Sequence, residues 1–439
     1  MTRDQRPHVM LVYGTRPEAI KTAPLVLGLR ARGAVRVSVC VTGQHREMLQ
    51  QVNDVFGIVP EHDLELFEPG QGIESIVAKT LLRLTPLLAA GNPDRPDAVV
   101  VHGDTSTANA AAQAAFYAGV PVVHLEAGLR TDDLASPFPE EANRQLIGRL
   151  ATLHLAPTAR NRAALRAENV PAERIVVTGN TVIDALTQVV AQLREDAAAA
   201  GAGGAASEEG AGPDVRRRVL VTLHRRENLG ERMVGIARAL RRVALESPDV
   251  TFVVPLHLNP AVRRAVLPEF AGVPTIEVHD PLDLTFVGEL ARCAIVVTDS
   301  GGLQEEGPGL GKPVLVARDT TERPEAVEAG TARLVGTSEE NVYAELRRLL
   351  DDPAAYEAMA TAVNPYGDGA AVPRCAAAIE AMLGVGVRAR SSGIVRRRRQ
   401  LPTELRRCTR RPFPPRCAGR ADRSRAAPTV AAPQGRVGQ

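Results

Sequence analysis

Residues 299–306, with the sequence Asp-Ser-Gly-Gly-Leu-Gln-Glu-Glu, carry the pattern that predicts most about the chemistry of this chain. They follow a short apolar segment directly, so we expect a strand that ends at Ser300, Gly301 and Gly302 and leads into a helix. The first backbone N–H groups of such a helix have no partner within it, and its positive end attracts anions. Glycine lets a diphosphate approach that backbone closely, and Glu306, one turn later, can accept a ribose hydroxyl. A plain turn is the alternative, because Gly-Gly also favours turns.

A second loop adds to this interpretation. Residues 318–325, Arg-Asp-Thr-Thr-Glu-Arg-Pro-Glu, follow the next apolar segment of the chain. Parallel strands end at the same edge of a sheet, so this charged and hydroxylated loop is expected beside the Ser-Gly-Gly turn. Together the two loops predict one wall of a nucleotide cleft.

Two cations stand at the first strand-to-helix turn of the chain. Thr15 and Glu18 are spaced as a capping box, and Arg16 and Lys21 are the only cations of that turn. They lie where a diphosphate would need countercharge. Ordinary charge on a helix surface would give the same pattern.

Three carboxylates, Asp104, Glu126 and Glu140, end or follow strands in the same half of the chain. Taken alone, Asp104 is better explained as a cap of the next helix. Glu126 ends a strongly apolar strand, where an unpaired carboxylate is costly. A purely structural Glu126 would need a buried arginine, and Arg130 or Arg144 could supply it.

Histidines end two strands of the second half, His224 beside Arg225 and Arg226, and His257 on the next strand. A lone histidine at a strand end is usually structural, but His224 would face the predicted diphosphate wall. Carboxylates from one half would then oppose cations and amides from the other. This arrangement suits proton transfer on a sugar whose leaving group is a diphosphate. The sequence has no metal-ligand spacing, nucleophile elbow or dinucleotide fingerprint, so we expect no metal ion.

Short apolar segments alternate with helix-like segments along the chain, which predicts an α/β fold with parallel sheets covered on both faces. Residues 187–214 interrupt the alternation, and we expect them to form a low-complexity loop between two halves. Residues 1–186 and 215–369 would then be two Rossmann-like, doubly wound domains that face each other across a cleft. Ligands bind at the carboxyl ends of the strands in such domains. Pro24 is expected to kink or end the first helix.

Composition narrows the class of protein. The chain has 439 residues, 44% of them hydrophobic, and a net charge of +2. Residues 387–439 contain 15 Arg, no Lys and 2 acidic residues, a charge of +13, which leaves −11 for the remainder. We therefore expect no nucleic-acid surface on the body. The basic tail could bind nucleic acid or acidic lipid, but it lacks interleaved aromatic residues, and we expect a disordered extension.

Cysteine and hydropathy patterns indicate where the protein works. Its 5 cysteines show neither a disulfide framework nor Cys-x-x-Cys spacing. Residues 1–7 are polar, and no segment approaches membrane-spanning length, so we expect no signal peptide and no membrane segment. These features predict a reduced, cytoplasmic protein.

From about residue 9 to residue 384 the chain resembles the bacterial non-hydrolysing UDP-N-acetylglucosamine 2-epimerases. The motifs that carry the resemblance occur in both halves, at residues 14–21, 41–47, 101–107, 126–131, 136–144, 179–184, 224–228, 299–306, 318–325 and 364–369. The resemblance implies the GT-B architecture, with the active site between two Rossmann-like domains. It also implies a homodimer, and a final helix within residues 370–386 that crosses back to complete the first domain.

By the same resemblance, the reaction inverts C2 of UDP-GlcNAc to give UDP-ManNAc without a cofactor. UDP is eliminated to leave 2-acetamidoglucal and is then added back. Asp104, Glu126 and Glu140 match the acid/base carboxylates, and His224 matches a residue that assists at the diphosphate. The positions that match substrate-binding residues are Arg16, Lys21, His257, Phe286, Ser300, Gly301, Gly302, Glu306 and Arg323.

The chain departs from the family pattern in three places. Residues 281–286 are one residue shorter than usual, and the Ala/Gly-rich insert and the basic tail have no family counterpart. Gln44 and His45 match a site at which some members bind a second UDP-GlcNAc. Glu47 and Gly70, however, replace the Gln and Arg of those members, which leaves allosteric activation open.

Three other functions are compatible with the same fold. A GT-B glycosyltransferase would need one catalytic base and an acceptor groove, and the three facing carboxylates argue against it. A hydrolysing epimerase is usually marked by a fused kinase domain, which this chain lacks. An inactive nucleotide-sugar sensor would be expected to have lost the carboxylates.

Overall fold

Two parallel β-sheets, each with helices packed on both faces, organise the chain. The computed structural model describes residues 4–43, 46–68, 70–199, 217–282 and 285–385. The predictions made for Gln44 and His45, for residues 200–214 and for the tail 387–439 lie outside these ranges.

The first sheet has the strand order β3-β2-β1-β4-β5-β6-β7. Its strands are β1 (His8–Tyr13), β2 (Arg36–Val41), β3 (His62–Asp63), β4 (Ala98–His102), β5 (Val122–Leu125), β6 (Leu153–Ala156) and β7 (Ile175–Val177). Every pairing is parallel. The helices of this half are α1 (Arg16–Arg32), α2 (Arg46–Val55), α3 (Ile73–Leu88), α4 (Ser106–Tyr117), α5 (Glu140–Leu150), α6 (Ala159–Ala167) and α7 (Thr181–Ala199).

The second sheet repeats this plan with the order β10-β9-β8-β11-β12-β13, again all parallel. Its strands are β8 (Arg217–Thr222), β9 (Val250–Pro255), β10 (Ile276–His279), β11 (Ile295–Thr298), β12 (Val314–Val316) and β13 (Ala332–Leu334). The helices are α8 (Glu231–Glu246), α9 (Pro260–Phe270), α10 (Thr285–Arg292), α11 (Leu303–Gly309), α12 (Pro324–Glu328), α13 (Glu339–Asp351), α14 (Pro353–Ala360) and α15 (Ala371–Met382). The predicted α/β fold with two doubly wound domains is confirmed.

Alternate residues of each central strand pack on opposite faces of its sheet. In β1, Val9, Leu11 and Tyr13 belong to one buried cluster, whereas Met10 and Val12 belong to another. All six residues of this strand are buried. Continuous apolar strands are therefore required here, because neither face of the sheet meets water.

Each sheet reverses its direction of winding once, between β1 and β4 in the first half and between β8 and β11 in the second. Ligands of doubly wound sheets bind at the carboxyl ends of the strands at such a reversal. Asp104 follows β4, and His224 and Ser300 follow β8 and β11. The fold thus places predicted site residues at both reversals.

Part of the predicted loop and the predicted end of α1 at Pro24 were wrong, and two short strands were missed. Helix α7 continues to Ala199, so the first part of the expected loop 187–214 is helical, consistent with the high helix propensity of its Ala, Gln, Leu and Glu residues. Helix α1 does not end at Pro24, which is buried with Leu25 and Leu29 in a packed face that offsets the missing hydrogen bond. The strands β3 and β13 were not predicted, because neither is a continuous apolar segment: β3 is His-Asp, and β13 has Arg333 at its centre.

Helix α15 packs against α1 and α7 of the first half. Asp184 of α7 accepts hydrogen bonds from the backbone N–H groups of Ala371 (3.1 Å) and Val372 (3.0 Å) at the start of α15. Glu380, near its end, pairs with Arg32 of α1 (2.5 Å). Both ends of α15 are therefore fixed to the first half.

None of the helices in the described ranges is both long enough and apolar enough to cross a membrane.

Gly28 of α1 lies where α15 comes closest, and a Cβ atom there would overlap Cγ1 of Val372. We predict that Gly28→Ala lowers the free energy of unfolding by about 1–3 kcal/mol, the usual cost of overpacking. In a Val372→Ala background the same change should be neutral or stabilising, because alanine is the better helix former. Urea or thermal unfolding of the four proteins would measure this. An equal loss in both backgrounds would contradict the close contact.

Candidate functional site

A cavity of about 980 Å³ opens between the carboxyl edges of the two sheets. Residues of both halves line it, and they include most of the predicted catalytic and phosphate-binding side chains. The predicted residues in its lining are Lys21, Asp104, Glu126, Glu140, Ser300, Gly301, Gly302 and Arg323.

A smaller cavity of about 250 Å³ adjoins the first, since Ser300 lines both. It collects the other predicted residues of the second half, namely His224, His257, Phe286 and Glu306. Arg16 lines neither cavity, although its charge acts on the carboxyl group of Glu306. Every predicted site residue in the described ranges except Arg16 therefore lines one of two connected cavities.

Glu126 holds a strained position at the edge of the large cavity. Its φ angle of 62° is in the left-handed region, which a non-glycine residue adopts only when its surroundings fix it. Its Oε2 atom accepts hydrogen bonds from Lys21 Nζ (2.6 Å) and Asn180 Nδ2 (2.9 Å), and His102 Nε2 lies 3.5 Å away. Burial alone would raise the pKa of Glu126, but the charges of Lys21 and His102 hold it well below its usual value.

Lys21 is paired within the protein rather than free to meet a diphosphate. Burial disfavours its ammonium charge, but the carboxylates of Glu126 and Glu305 outweigh that effect and raise its pKa. The structure thus places Lys21 at the proposed acid/base carboxylate. Neither arginine suggested as a structural partner of Glu126 serves it, since Arg130 binds Glu168 (2.5 Å) and Arg144 binds Asp104 (2.6 Å).

Asp104 is fixed by α5. Arg144 donates to its Oδ2 atom through Nη2 (2.6 Å) and Nε (3.2 Å), and Asn143 Nδ2 donates to its backbone oxygen (2.9 Å). Asp104 does not cap the next helix, because Thr105 accepts the N–H of Ala108 (3.0 Å) in that role. Its carboxylate is therefore available to the large cavity.

Glu18 joins the two turns on either side of the first winding reversal. Its Oε2 atom accepts the backbone N–H groups of Gly14 (3.0 Å) and Thr15 (2.8 Å), as the predicted capping box requires. Thr105 Oγ1, from the turn after β4, donates to its other oxygen (2.7 Å). These hydrogen bonds link the backbone just before Arg16 to Thr105, the residue that follows Asp104.

Glu140 is the first residue of α5 and is partly exposed to the large cavity. Within the described ranges, no side chain or backbone group bonds to its carboxylate. It differs in this from Asp104 and Glu126, which both have charged partners.

The second half has a buried acid at the centre of its winding reversal. Asp299, fully buried, accepts the backbone N–H groups of His224 (3.0 Å) and Arg225 (3.0 Å) and the amide of Asn228 (3.2 Å). The Nδ1 atom of His224 lies 3.2 Å from Oδ1 of Asp299. A proton on Nδ1 would leave Nε2 as the acceptor of the neutral ring.

His224 stacks on His257, with ring centroids 6.3 Å apart. Burial lowers the pKa of His224, and the charge of Arg225 adds to this effect, whereas Asp299 opposes it. His257 Nδ1 accepts the backbone N–H of Asn259 (3.0 Å), so a neutral His257 carries its proton on Nε2. Two oriented imidazoles thus line the smaller cavity.

Arginines surround one carboxylate in the wall of the large cavity. Glu322 accepts from Arg318 (2.6 Å), Arg323 (3.0 Å) and Arg225 (3.3 Å). Its Oε1 atom also lies beside Gly301, where an added Cβ would meet it at 2.6 Å. A side chain at position 301 would therefore displace the ends of Glu322 and Arg323, next to which three guanidinium groups converge.

The amides of Gly301 and Gly302 have no acceptor among the residues that the structure describes. They point out of a turn that β11 and the short helix α11 fix. Both residues line the large cavity beside Arg323. Free amides and nearby guanidinium groups are the donors that bind phosphate oxygens.

Sequence reasoning missed several residues that hold this site together, namely His102, Asn180, Glu305, Arg318 and Glu322. All five lie in motifs at strand ends, so their position was a usable signal. Their partners are distant in the sequence, and no local pattern indicates them. No group of three or more His, Cys, Asp or Glu side chains within the described ranges is placed to hold a metal ion.

We predict that Lys21→Met destabilises the protein by about 3–5 kcal/mol at neutral pH, the usual cost of leaving a buried carboxylate without its cation. In the wild type, Glu126 has a lowered pKa, so its stabilising contribution is complete above pH 4.5 and declines as the pH falls. In the variant, burial raises that pKa, so stability declines as the pH rises. The difference in free energy of unfolding between the wild type and the variant should therefore be largest near pH 8 and should decrease towards pH 4.5.

Unfolding by urea at several pH values would measure this difference. Lys79→Met is the control, because Lys79 pairs with the exposed Glu68 at the surface, where a pair contributes about 0–1 kcal/mol. A loss for Lys21→Met that does not vary with pH would contradict the assigned pair.

Comparison with known proteins identifies the family. A family model described as UDP-N-acetylglucosamine 2-epimerase matches residues 28–380. The chain is 50% identical over 379 residues to the UDP-N-acetylglucosamine 2-epimerase of Escherichia coli strain K12, covering 85% of this chain and 98% of that protein.

Solved structures agree with the sequence comparison. The UDP-GlcNAc 2-epimerase of Neisseria meningitidis bound to UDP-GlcNAc superimposes with a TM-score of 0.76 at 44% identity, covering 86% of this chain and 100% of that one. The enzyme of Methanocaldococcus jannaschii in complex with UDP-GlcNAc and UDP gives a TM-score of 0.66 at 27% identity, with coverage of 86% and 100%. Two facing doubly wound domains, a cavity rich in carboxylates and these likenesses lead to one assignment. The chain belongs to the UDP-N-acetylglucosamine 2-epimerase family.

Proposed function

We propose that this protein interconverts UDP-GlcNAc and UDP-ManNAc by inverting C2, without hydrolysis and without a cofactor. One observation carries the proposal beyond family membership. A single cavity has the three carboxylates Asp104, Glu126 and Glu140 on one side and the free amides of Gly301 and Gly302 on the other. Groups for proton transfer thus face groups for holding a diphosphate.

The reaction we propose is an elimination followed by an addition. The C2–H bond breaks, its electrons form a C1=C2 double bond, and the C1–O bond breaks as UDP leaves. Re-addition delivers a proton to the opposite face of C2 and UDP to C1, so atoms and charge balance over the cycle. As the diphosphate leaves, positive charge develops at C1 and makes the C2 proton easier to remove, and carboxylates stabilise that charge.

The three carboxylates differ in what surrounds them. Glu126 is held in its charged form by Lys21 and His102, which suits it to stabilise developing positive charge or to act as a base. Asp104 is paired with Arg144, whereas no described residue bonds to Glu140. Glu140 is therefore the best placed to take up and release a proton on one face of the sugar.

The second half would hold the departing UDP. Arg225 and Arg323 line the large cavity with the two glycine amides, and these donors can follow the diphosphate as its charge grows. The smaller cavity, with Phe286, His257 and Glu306, would take the nucleoside. Burial raises the pKa of Glu306, and a hydrogen bond from a ribose hydroxyl would give that carboxyl group a partner.

We also propose a cytoplasmic homodimer, as the sequence resemblance implies. Cys40, Cys293 and Cys375 are free and buried, and this state is expected in a reducing compartment. Burial raises the pKa of each thiol to about 12, which keeps it unreactive.

The defining test is incubation of the protein with UDP-GlcNAc in D2O, followed by NMR. We expect a mixture of UDP-GlcNAc and UDP-ManNAc with deuterium at C2, because a carboxylate exchanges its proton with solvent between elimination and re-addition. No nicotinamide or metal ion should be needed. Free ManNAc as the main product, or epimerisation without deuterium at C2, would overturn the proposed reaction.

Substitutions should separate the two halves of the site. Asp104→Asn, Glu126→Gln and Glu140→Gln keep the side-chain shape and remove the base, so each should lower turnover by about 10²-fold or more while UDP still binds. Ser300→Ala should instead weaken UDP binding, because Ser300 lines both cavities. Turnover and calorimetric UDP titration measure the two effects. A carboxamide variant that lost UDP affinity but kept full turnover at saturation would reverse these roles.

A further inference from the structure

Asn180 bridges the two halves next to Glu126, a residue that lines the large cavity. Its Nδ2 atom donates to Oε2 of Glu126 (2.9 Å) in the first half and to Oε2 of Glu305 (2.6 Å) in the second. The residue is 3% exposed, so water does not substitute for it. One side-chain amide therefore donates to two carboxylates from different domains, the partly buried Glu126 and the buried Glu305.

The orientation of this amide is fixed by its other contacts. Its Oδ1 atom accepts the backbone N–H of Val182 (3.1 Å) in the first turn of α7, so the NH2 group must face the carboxylates. Its own backbone N–H donates to the carbonyl of Tyr366 (2.6 Å). A rotated amide would turn an oxygen towards two carboxylates and would leave the backbone donor without its acceptor.

Glu305 connects this amide to the proposed diphosphate site. It lies on α11, three residues after Gly302, and its Oε1 atom accepts from Arg323 Nε (2.5 Å). Arg323 also lines the large cavity beside Gly301. A continuous set of contacts thus runs from Glu126 through Asn180 and Glu305 to a guanidinium group at the cavity surface.

We propose that Asn180 is a positioning residue for the epimerisation, whose NH2 group holds Glu126 of one half against Glu305 of the other. The inference rests on the function proposed above. Without this donor, two like charges would face each other across the domain boundary, and the reactive carboxylate would move or take up a proton. Lys21 and His102 lie beside Glu126, and Arg323 lies beside Glu305. The charge of Glu305 also acts on Glu306 and Tyr366.

Two substitutions test this role. Asn180→Ala removes both hydrogen bonds and should lower turnover about 10- to 100-fold, the rate equivalent of one hydrogen bond to a charged group. Asn180→Asp keeps the size of the side chain but adds a carboxylate between two others. When that carboxyl group is protonated it donates one hydrogen bond again, so the deficit of this variant should shrink as the pH falls from about 8.5 to about 6.

The pH profile separates positioning from a merely structural role. The turnover ratio of wild type to Asn180→Asp should fall towards low pH, while the ratio for Asn180→Ala should not fall, because alanine cannot regain a donor by protonation. UDP affinity, measured by calorimetry, should change less than threefold in both, because Arg225 and the glycine amides remain. Asn53→Asp is the matched control. Asn53 is 2% exposed in the first domain and bonds Tyr13 Oη (2.8 Å) away from the cavity, so a carboxylate buried there should leave turnover unchanged.

The outcomes distinguish this inference from the proposed function. Wild-type protein that fails to epimerise UDP-GlcNAc would overturn both. If Asn180→Ala turned over as fast as the wild type, the positioning role alone would be overturned. A deficit of Asn180→Asp that did not vary with pH would have the same consequence. If neither variant folds, Asn180→Ser keeps one hydroxyl donor. It should show an intermediate loss of turnover, and full turnover would contradict the bridge.

Discussion

Burial of the charged carboxylate of Glu126 is the constraint on which the rest of the site depends. Removing a carboxylate from water costs several kcal/mol unless donors replace the lost hydration. Here the donors come from separate elements, Lys21 from α1 and Asn180 from the start of α7, with His102 at the end of β4 nearby. Glu126 stays charged only if these elements hold their relative positions. The charged form of Glu126 therefore depends on the packing of the first domain.

In the second half, several positively charged side chains lie close together. Arg225, Arg318 and Arg323 converge on one cavity wall and would repel one another if no anion separated them. Glu322 forms ion pairs with all three arginines, and Glu305 forms a second ion pair with Arg323. These two glutamates keep the guanidinium groups ordered in a site shaped for an anion. A bound diphosphate would compete with Glu322 for the same donors. The contacts that order the guanidinium groups are therefore the ones that the diphosphate would have to replace.

Local sequence predicted the features that depend on local physics. Continuous apolar segments specified the strands of both sheets except β3 and β13, and Thr15 with Glu18 specified the start of α1. The positions of Asp104, Glu126, His224 and Ser300 at strand ends followed from the rule that doubly wound sheets bind ligands there. The remaining features depend on partners that are distant in sequence. Lys21 meets Glu126 across 105 residues, and Asn180 meets Glu305 across 125. No spacing within one segment can indicate such pairs, which is why Lys21 was assigned to the diphosphate and Asn180 to no role.

The structure shows that the three predicted carboxylates have different partners, which the sequence did not indicate. Glu126 is tied to a lysine and an amide, and Asp104 is tied to Arg144, while no described residue bonds to Glu140. The charges of Lys21 and His102 hold the pKa of Glu126 well below its usual value, so this carboxylate stays in the charged form. In the reaction we propose, Glu140, which is partly exposed at the start of α5, would exchange its proton with solvent. That exchange would leave the contacts of Glu126 with Lys21 and Asn180 undisturbed, so the chemistry would be separate from the contacts that hold the two domains together.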